Sequence, residues 1–317
     1  MEMFVYGIDV GGTNTKLALF NGKAMLKDTV VIPTRTDAKG IHVLPDIKMA
    51  LDANMEKHGI KKEQVAGIGV GVPGPVTADG VVNKCVNLGW DSMNISKQLS
   101  LFTGGIKVKA TNDANAAALG EMFRGGGQGF KNLILVTFGT GIGGGIIIDG
   151  KIYSGATGAA GEIGHIPFME GETEKCSCGK CGCLEQYISA SAIGRIATKI
   201  LEERTEDSAL RKYQTVTAKE VYDEAKNGDP IALGIVKLTG DRIGRAFGML
   251  ASMFNPEAIV IGGGMAKAGQ ILLNSIDDSF KKNAFHATAG AEIRLATLGN
   301  LAGVYGGAKL IFDDYGV

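Results

Sequence analysis

One pattern, met twice, limits what this chain can fold into. Residues 3–10 (MFVYGIDV) are rich in β-branched and aromatic side chains and read as a strand. Gly11 and Gly12 turn the chain, residues 15–20 (TKLALF) run on as a second strand, Asn21 and Gly22 signal a hairpin, and residues 24–32 form a third strand. The same grammar returns in residues 133–138 (LILVTF), the glycine-rich stretch 139–143, residues 144–148 (GGIII), the turn at Asp149 and Gly150, and residues 151–153. An internal echo of strand, glycine turn, strand, hairpin turn, strand at a spacing of about 130 residues implies two related α/β lobes.

Length and composition agree with two lobes. The chain has 317 residues, more than one core holds comfortably. Its 48 glycines have no collagen-like period and therefore mark tight turns and close backbone approaches. Apolar runs at 65–72 and 258–262 add strands. Helices are expected over 41–58 and 114–123, after the capping box Thr217–Glu220, from Asp229 and Pro230 to near Asn255, and over 303–313. The glycines of 125–129 read as a flexible link near a lobe boundary.

Charge excludes several functions. The formal net charge is zero, with no basic run to meet a polyanion, so no nucleic-acid partner is expected. The first residues lack the basic start and apolar stretch of a signal peptide, and no apolar run reaches about 18 residues. A cytoplasmic protein with no membrane partner is the expectation.

Five stretches carry chemistry, and a sixth offers room for a ligand. At 9–16, a strand delivers Asp9 to a turn made by Gly11 and Gly12, followed by Thr13 and Thr15. Backbone N–H groups in such a turn can point at phosphate oxygens, and the Asp can hold a hydrated Mg²⁺. The stretch 139–145, with Thr140 and Gly141, stands at the equivalent place in the second repeat. It is neither a Walker A motif nor a Rossmann fingerprint. Two facing turns of this kind can grip a polyphosphate. Asn112 and Asp113 precede the 114–123 helix, and read either as its N-cap or as a general base that takes a hydroxyl proton during phosphoryl transfer. Glu162 and His165 lie among glycines, a setting that suits a polyol ligand.

Cys176, Cys178, Cys181 and Cys183 fall within eight residues, followed by Glu185. Such clustering in a reducing compartment favours a metal over disulfides. With His165 it offers a Cys₃His zinc set through Cys176, Cys178 and Cys183, with Cys181 as a spare thiol. Finally, Gly263 and Gly264 at a strand's carboxyl end make room for a flat ligand such as adenosine.

These motifs together resemble the ROK family of sugar kinases and repressors, in the hexokinase/actin ATPase superfamily. The match covers DVGGTNTK at 9–16, GVPGPV at 71–76, NLGW at 87–90, NDANAAALGE at 112–121, GTGIGGG at 139–145, GEIGH at 161–165, CSCGKCGCLE at 176–185 and IGGGM at 261–265. The resemblance implies an α/β fold of two duplicated ribonuclease H-like lobes with a cleft between them. The small lobe would comprise residues 1–112 and 300–317, and the large lobe residues 113–299 with the zinc knuckle at 165–183.

It further implies Asp113 as catalytic base and Asn112, Glu162, His165 and Glu185 as sugar contacts. Gly11, Gly12, Thr13 and Thr140 would meet phosphate, with Gly263 and Gly264 in the adenosine region and structural zinc on His165, Cys176, Cys178 and Cys183. ATP, Mg²⁺ and a sugar are the expected partners, in a homo-oligomer (dimer or tetramer). The NLGW stretch points to glucose, ahead of fructose, allose or N-acetylmannosamine. A sugar-responsive repressor is the alternative of a different class; the start of the phosphate motif at Asp9 leaves no room for a preceding helix-turn-helix.

Overall fold

The computed structural model describes residues 2–316; the side chain of Val86, just before the NLGW stretch, lies outside the described set. β1 (Phe4–Val10), β2 (Asn14–Asn21) and β3 (Leu26–Pro33) form an antiparallel meander. β4 (Val65–Val72) joins β1 in parallel. A short ribbon, β5 (Val81–Val82) with β6 (Met93–Asn94), follows, and β7 (Val108–Asn112) joins β4 in parallel.

The second sheet holds β8 (Leu133–Phe138), β9 (Ile142–Ile148), β10 (Lys151–Ile152), β11 (Ala258–Gly263) and β12 (Glu292–Leu295). The two sheets run β3-β2-β1-β4-β7 and β10-β9-β8-β11-β12. Within each, the order is third, second, first, fourth, fifth strand, so the repeat seen in the sequence is a repeat of topology. β1 is buried almost throughout, whereas β3 at the sheet edge alternates half-buried and exposed residues, as a period of two requires.

The two hairpins differ in their turns. Asp149 and Gly150 both take positive φ, 50° and 76°, as a tight turn of this sequence should. At Asn21 and Gly22 the sequence signal is right but the mechanism is different. Asn21 Oδ1 accepts from the backbone N–H groups of Lys23 and Met25, and the left-handed residue is Ala24, at φ 56°.

The chain divides into two compact units. One comprises Met1–Lys131, Gly145–Gly161 and Thr297–Val317; the other comprises Asn132–Gly144 and Glu162–Ala296. The expected boundary at 112/113 therefore falls inside the first unit. The reason is packing: the helix Asp113–Arg124 lies against the C-terminal helix Ala302–Phe312. β9 passes between units at Gly144 and Gly145, where a Cβ on Gly145 would stand 2.5 Å from the Ala114 carbonyl oxygen. Nor is 125–129 a loose link. Glu121, almost fully buried, accepts from the N–H groups of Gly126, Thr297 and Leu298 through its two carboxylate oxygens.

Within the second unit the helix Pro230–Phe254 opens on Asp229, whose side chain accepts from Ala232 N–H, and closes on the left-handed Asn255, as expected. Among the described residues no helix is long and apolar enough to cross a membrane.

The first unit is held by backbone-to-backbone approach. A Cβ on Gly306 would lie 1.6 Å from the carbonyl oxygen of Ala116, one on Gly69 1.7 Å from that of Gly307, and one on Gly7 1.9 Å from that of Val304. No rotamer relieves such contacts, because the obstacle is main chain on both sides. Gly306→Ala should therefore destabilise the protein by about 1–3 kcal/mol or more, as overpacking does. Gly234→Ala, at an exposed helical position with nothing within 4 Å, should be neutral or stabilise by about 0.5–1 kcal/mol. Urea unfolding of the two variants checks this; similar midpoints would contradict it.

Candidate functional site

In the first unit, Asp9 ends β1 and the turn at Gly11 and Gly12 follows, closed by Gly11 N–H donating to the Asn14 carbonyl at 3.0 Å. Gly12 and Thr13 are exposed. Thr15 is not part of that surface: it is buried, with its hydroxyl 2.8 Å from that of Thr34. Burial holds the Asp9 carboxyl above the ordinary carboxylate range, and Lys16 partly opposes this. The C-terminal helix shapes its surroundings, since a Cβ on Gly303 would lie 2.7 Å from Asp9 Cγ.

Two strands away in the same sheet, at the same carboxyl edge, β7 delivers Asn112 and Asp113. The cap belongs to Asn112: its Oδ1 accepts from the N–H groups of Ala114 and Asn115 at 2.9 and 3.1 Å. Its Nδ2 donates to Asp113 Oδ1 at 2.9 Å and to the Gly74 carbonyl in the GVPGPV stretch at 3.1 Å. Asp113 is the first helical residue, and its Oδ1 also accepts from Ala114 N–H at 2.8 Å. Of the two readings of this pair, capping is the work of Asn112, and Asp113 is oriented by it.

In the second unit the turn after β8 is closed more tightly, with Gly139 N–H donating to the Gly141 carbonyl at 3.0 Å. Thr140 is exposed at its tip. Glu185 lies close by. A Cβ on Gly141 would stand 2.5 Å from Glu185 Oε2, so the missing side chain at 141 is what admits the carboxylate. Glu185 Oε1 faces the other way, accepting from Cys176 Sγ at 2.9 Å and Ser177 Oγ at 3.1 Å. His165 Nδ1 stands 3.8 Å from the same oxygen, while His165 Nε2 lies 4.0 Å from Glu162 Oε2. Glu162, His165 and Glu185 thus form one cluster.

The ligand atoms of His165, Cys176, Cys178 and Cys183 all lie within 4.8 Å of one another. Four-coordinate zinc, with Zn–S near 2.3 Å and Zn–N near 2.0–2.1 Å, puts neighbouring ligand atoms about 3.5–3.8 Å apart. Cys176 Sγ is 3.6 Å from His165 Nδ1, and Cys178 Sγ is 3.6 Å from Cys183 Sγ, so the set fits such an ion. Cys181 stands outside it, exposed, with its Sγ 3.6 Å from the Thr173 carbonyl. As free thiols the three differ. Burial, then the Cys178 and Cys176 sulfurs, push Cys183 up to about 12; burial raises Cys176, with the Glu185 hydrogen bond adding to it; the Lys180 N–H lowers Cys178.

A cavity of about 850 Å³ opens beside the second turn. Gly139, Thr140 and Gly264 line it, next to Gly263, which is at φ 77° and where a Cβ would stand 2.3 Å from the Phe138 carbonyl oxygen. Sequence reasoning missed its other walls: the helix Ala190–Glu203 with Arg195, the segment from Thr215 to the capping box, and Lys267. The helix was findable, since Ala192, Ile193 and Ala197 recur at helical spacing and are buried.

A family model described as the ROK family matches residues 5–314. The chain belongs to the ROK family. A glucokinase from Halalkalibacterium halodurans is 43% identical over 98% of this chain and 95% of its own length. A ROK family glucokinase from Streptomyces griseus, solved in complex with glucose and AMPPNP, is 31% identical, covers 97% of this chain and 98% of its own, and superposes with a TM-score of 0.77. A putative xylose repressor from a Caldicellulosiruptor species is 29% identical over 98% of this chain but 78% of its own length. The fold is that of the ROK sugar kinases, mixed α/β with two sheets, as the motifs implied.

The knuckle gives a direct test. Cys178→Ser should lose bound zinc, and Cys181→Ser should keep about one per chain by elemental analysis, the closed structural site needing four ligands. Because thiols pushed upward must shed protons to bind, zinc retention should fall as pH is lowered. Equal zinc in both variants would contradict the ligand set.

Proposed function

We propose that this ROK protein is a glucokinase that transfers the γ-phosphoryl group of ATP to the 6-hydroxyl of glucose. The observation that carries the reading is near full-length likeness, at 43% identity, to a glucokinase. The glucose and AMPPNP bound by the Streptomyces griseus relative support the same pair of substrates.

The roles follow from the chemistry of the residues. Asp113 is the general base that takes the attacking hydroxyl's proton, with Asn112 fixing its orientation through the Nδ2–Oδ1 bond. Asn112, Glu162, His165 and Glu185 are the sugar-hydroxyl contacts; the carboxylates supply the oriented acceptors a polyol needs. Gly11, Gly12, Thr13, Thr140 and Gly141 are the phosphate contacts, and Gly263 and Gly264 border the space for adenosine. Asp9 is the residue to hold a hydrated Mg²⁺, since a nearby cation relieves the burial that raises its pKa. Bound Mg²⁺ would neutralise charge on the phosphates. Zinc on His165, Cys176, Cys178 and Cys183 is structural, fixing the loop that carries Glu162 and Glu185.

A coupled assay of ADP release across glucose, fructose, allose, mannose and N-acetylmannosamine tests the reading. Glucose is expected to give the highest kcat/KM. Turnover of another hexose with glucose inert would overturn the substrate and leave the kinase.

Asp113→Asn should lower kcat by about 10²–10⁴-fold, the usual loss for a general base. Because Asn112 does the capping, thermal stability and glucose affinity should change little. Near-normal turnover in that variant would remove Asp113 from the chemistry.

A further inference from the structure

Arg195 joins two parts of the second unit that the reaction uses separately. It sits on the helix Ala190–Glu203, on the wall of the 850 Å³ cavity. Its guanidinium points toward the cysteine knuckle: Nη1 meets Glu174 Oε1 at 2.5 Å and Nη2 donates to the Gln186 carbonyl at 2.5 Å. Glu174 lies two residues before Cys176, and Gln186 three after Cys183.

Gln186 ties those two arms to each other. Its Nε2 donates to the Glu174 carbonyl at 3.0 Å, and its Oε1 accepts from Cys183 N–H at 3.0 Å. The start of the same helix is fixed to the opposite partner, since Ala190 N–H donates to the Gly139 carbonyl at 3.0 Å in the glycine turn. The helix is therefore held at one point by the turn and at another by the knuckle, and Ser191, Gly194, Arg195 and Thr198 on it border the cavity.

The ion pair with Glu174 is not the strong element. Both side chains are about half exposed, and surface pairs of this kind contribute little. The bond to the Gln186 carbonyl is partly buried, charge-assisted and directed by a planar fork, which a lysine cannot reproduce.

We infer that Arg195 is a positioning residue that couples the metal knuckle to the nucleotide cavity: the knuckle, when loaded, fixes Glu174 and Gln186, and these hold Arg195 and its helix in the form that takes nucleotide. This rests on the cavity being the adenosine site, as proposed above. Arg195 touches no reacting atom in this scheme. It acts through the helix, so its removal should change nucleotide affinity and leave glucose affinity and zinc content alone.

The test is a double-mutant cycle read by binding. ADP and glucose affinities are measured by calorimetry, and zinc by elemental analysis, for wild type, Arg195→Met, Arg195→Lys and Cys178→Ser, and for Cys178→Ser combined with Arg195→Met. Arg195→Met and Arg195→Lys should each weaken ADP by roughly 5-fold or more, the lower end of typical coupling. Both should keep their zinc and their glucose affinity. Cys178→Ser should weaken ADP as well, and adding Arg195→Met to it should weaken ADP little further, because the two act in one chain.

Three results would overturn the inference. Wild-type ADP affinity in Arg195→Met would show that the strut is idle. Wild-type affinity in Arg195→Lys alone would show that only positive charge at the cavity matters. Fully additive losses would show that knuckle and cavity are independent. A wild-type protein that binds no ADP would count against the kinase reading itself, and is told apart from these by the wild-type titration.

Discussion

The close approach of the C-terminal helix to the first sheet is the constraint on which the first unit depends. Glycines at 7 and 69 in β1 and β4, at 120 in the helix Asp113–Arg124, and at 306 and 307 in Ala302–Phe312 let main chain meet main chain. Such packing forfeits side-chain burial, yet it fixes helix position more tightly than interdigitated side chains, which can repack. Its chemical consequence is local. The same helix that seats on Gly7 and Gly69 presents Gly303 to Asp9, and seats by Gly306 on the helix that begins with Asp113. Two carboxylates of the proposed chemistry are thereby set by one packing event.

The second unit uses a different device. There, Glu185 stands between the glycine turn and the knuckle, one oxygen against Gly141 and the other against Cys176. A loop with four cysteines has little hydrophobic core of its own, and a closed metal site is the usual substitute for one. The surrounding protein contributes as well. Tyr187 donates to Glu172 at 2.6 Å, and Phe168 and Tyr187 pack ring to ring with Arg245 and Arg242 over them. These contacts brace the segments on either side of the knuckle.

Most of the fold was legible in the sequence because it was written twice. The two glycine turns, the hairpins and the strands 65–72 and 258–262 fell where their residues indicated, and the shared strand order explains why one pattern produced both sheets. What stayed hidden was long-range. The unit boundary was misplaced at 112/113 because helix formers in 114–123 say that a helix forms, and only Gly120 facing Ala302 says what it packs on. The glycines of 125–129 suggested a loose link, and a buried carboxylate, Glu121, instead ties Gly126 to Thr297 and Leu298, which are distant in sequence.

The candidate site was legible for a related reason and incomplete for another. Residues whose type announces chemistry, such as Asp113, His165 and the cysteines, were found because few structural roles call for them at that density. The cavity walls were not, because Arg195, Thr215 and Lys267 look like ordinary surface residues until the fold gathers them. The distinction also bears on the two readings of Asn112 and Asp113. Either residue type caps a helix well. Only geometry could assign the cap, and once Asn112 holds both Ala114 and Asn115 N–H groups, capping no longer accounts for an aspartate at 113. The helix dipole also favours a carboxylate in the first turn, so what supports the base proposed at Asp113 is that its carboxylate is held by its neighbour's amide.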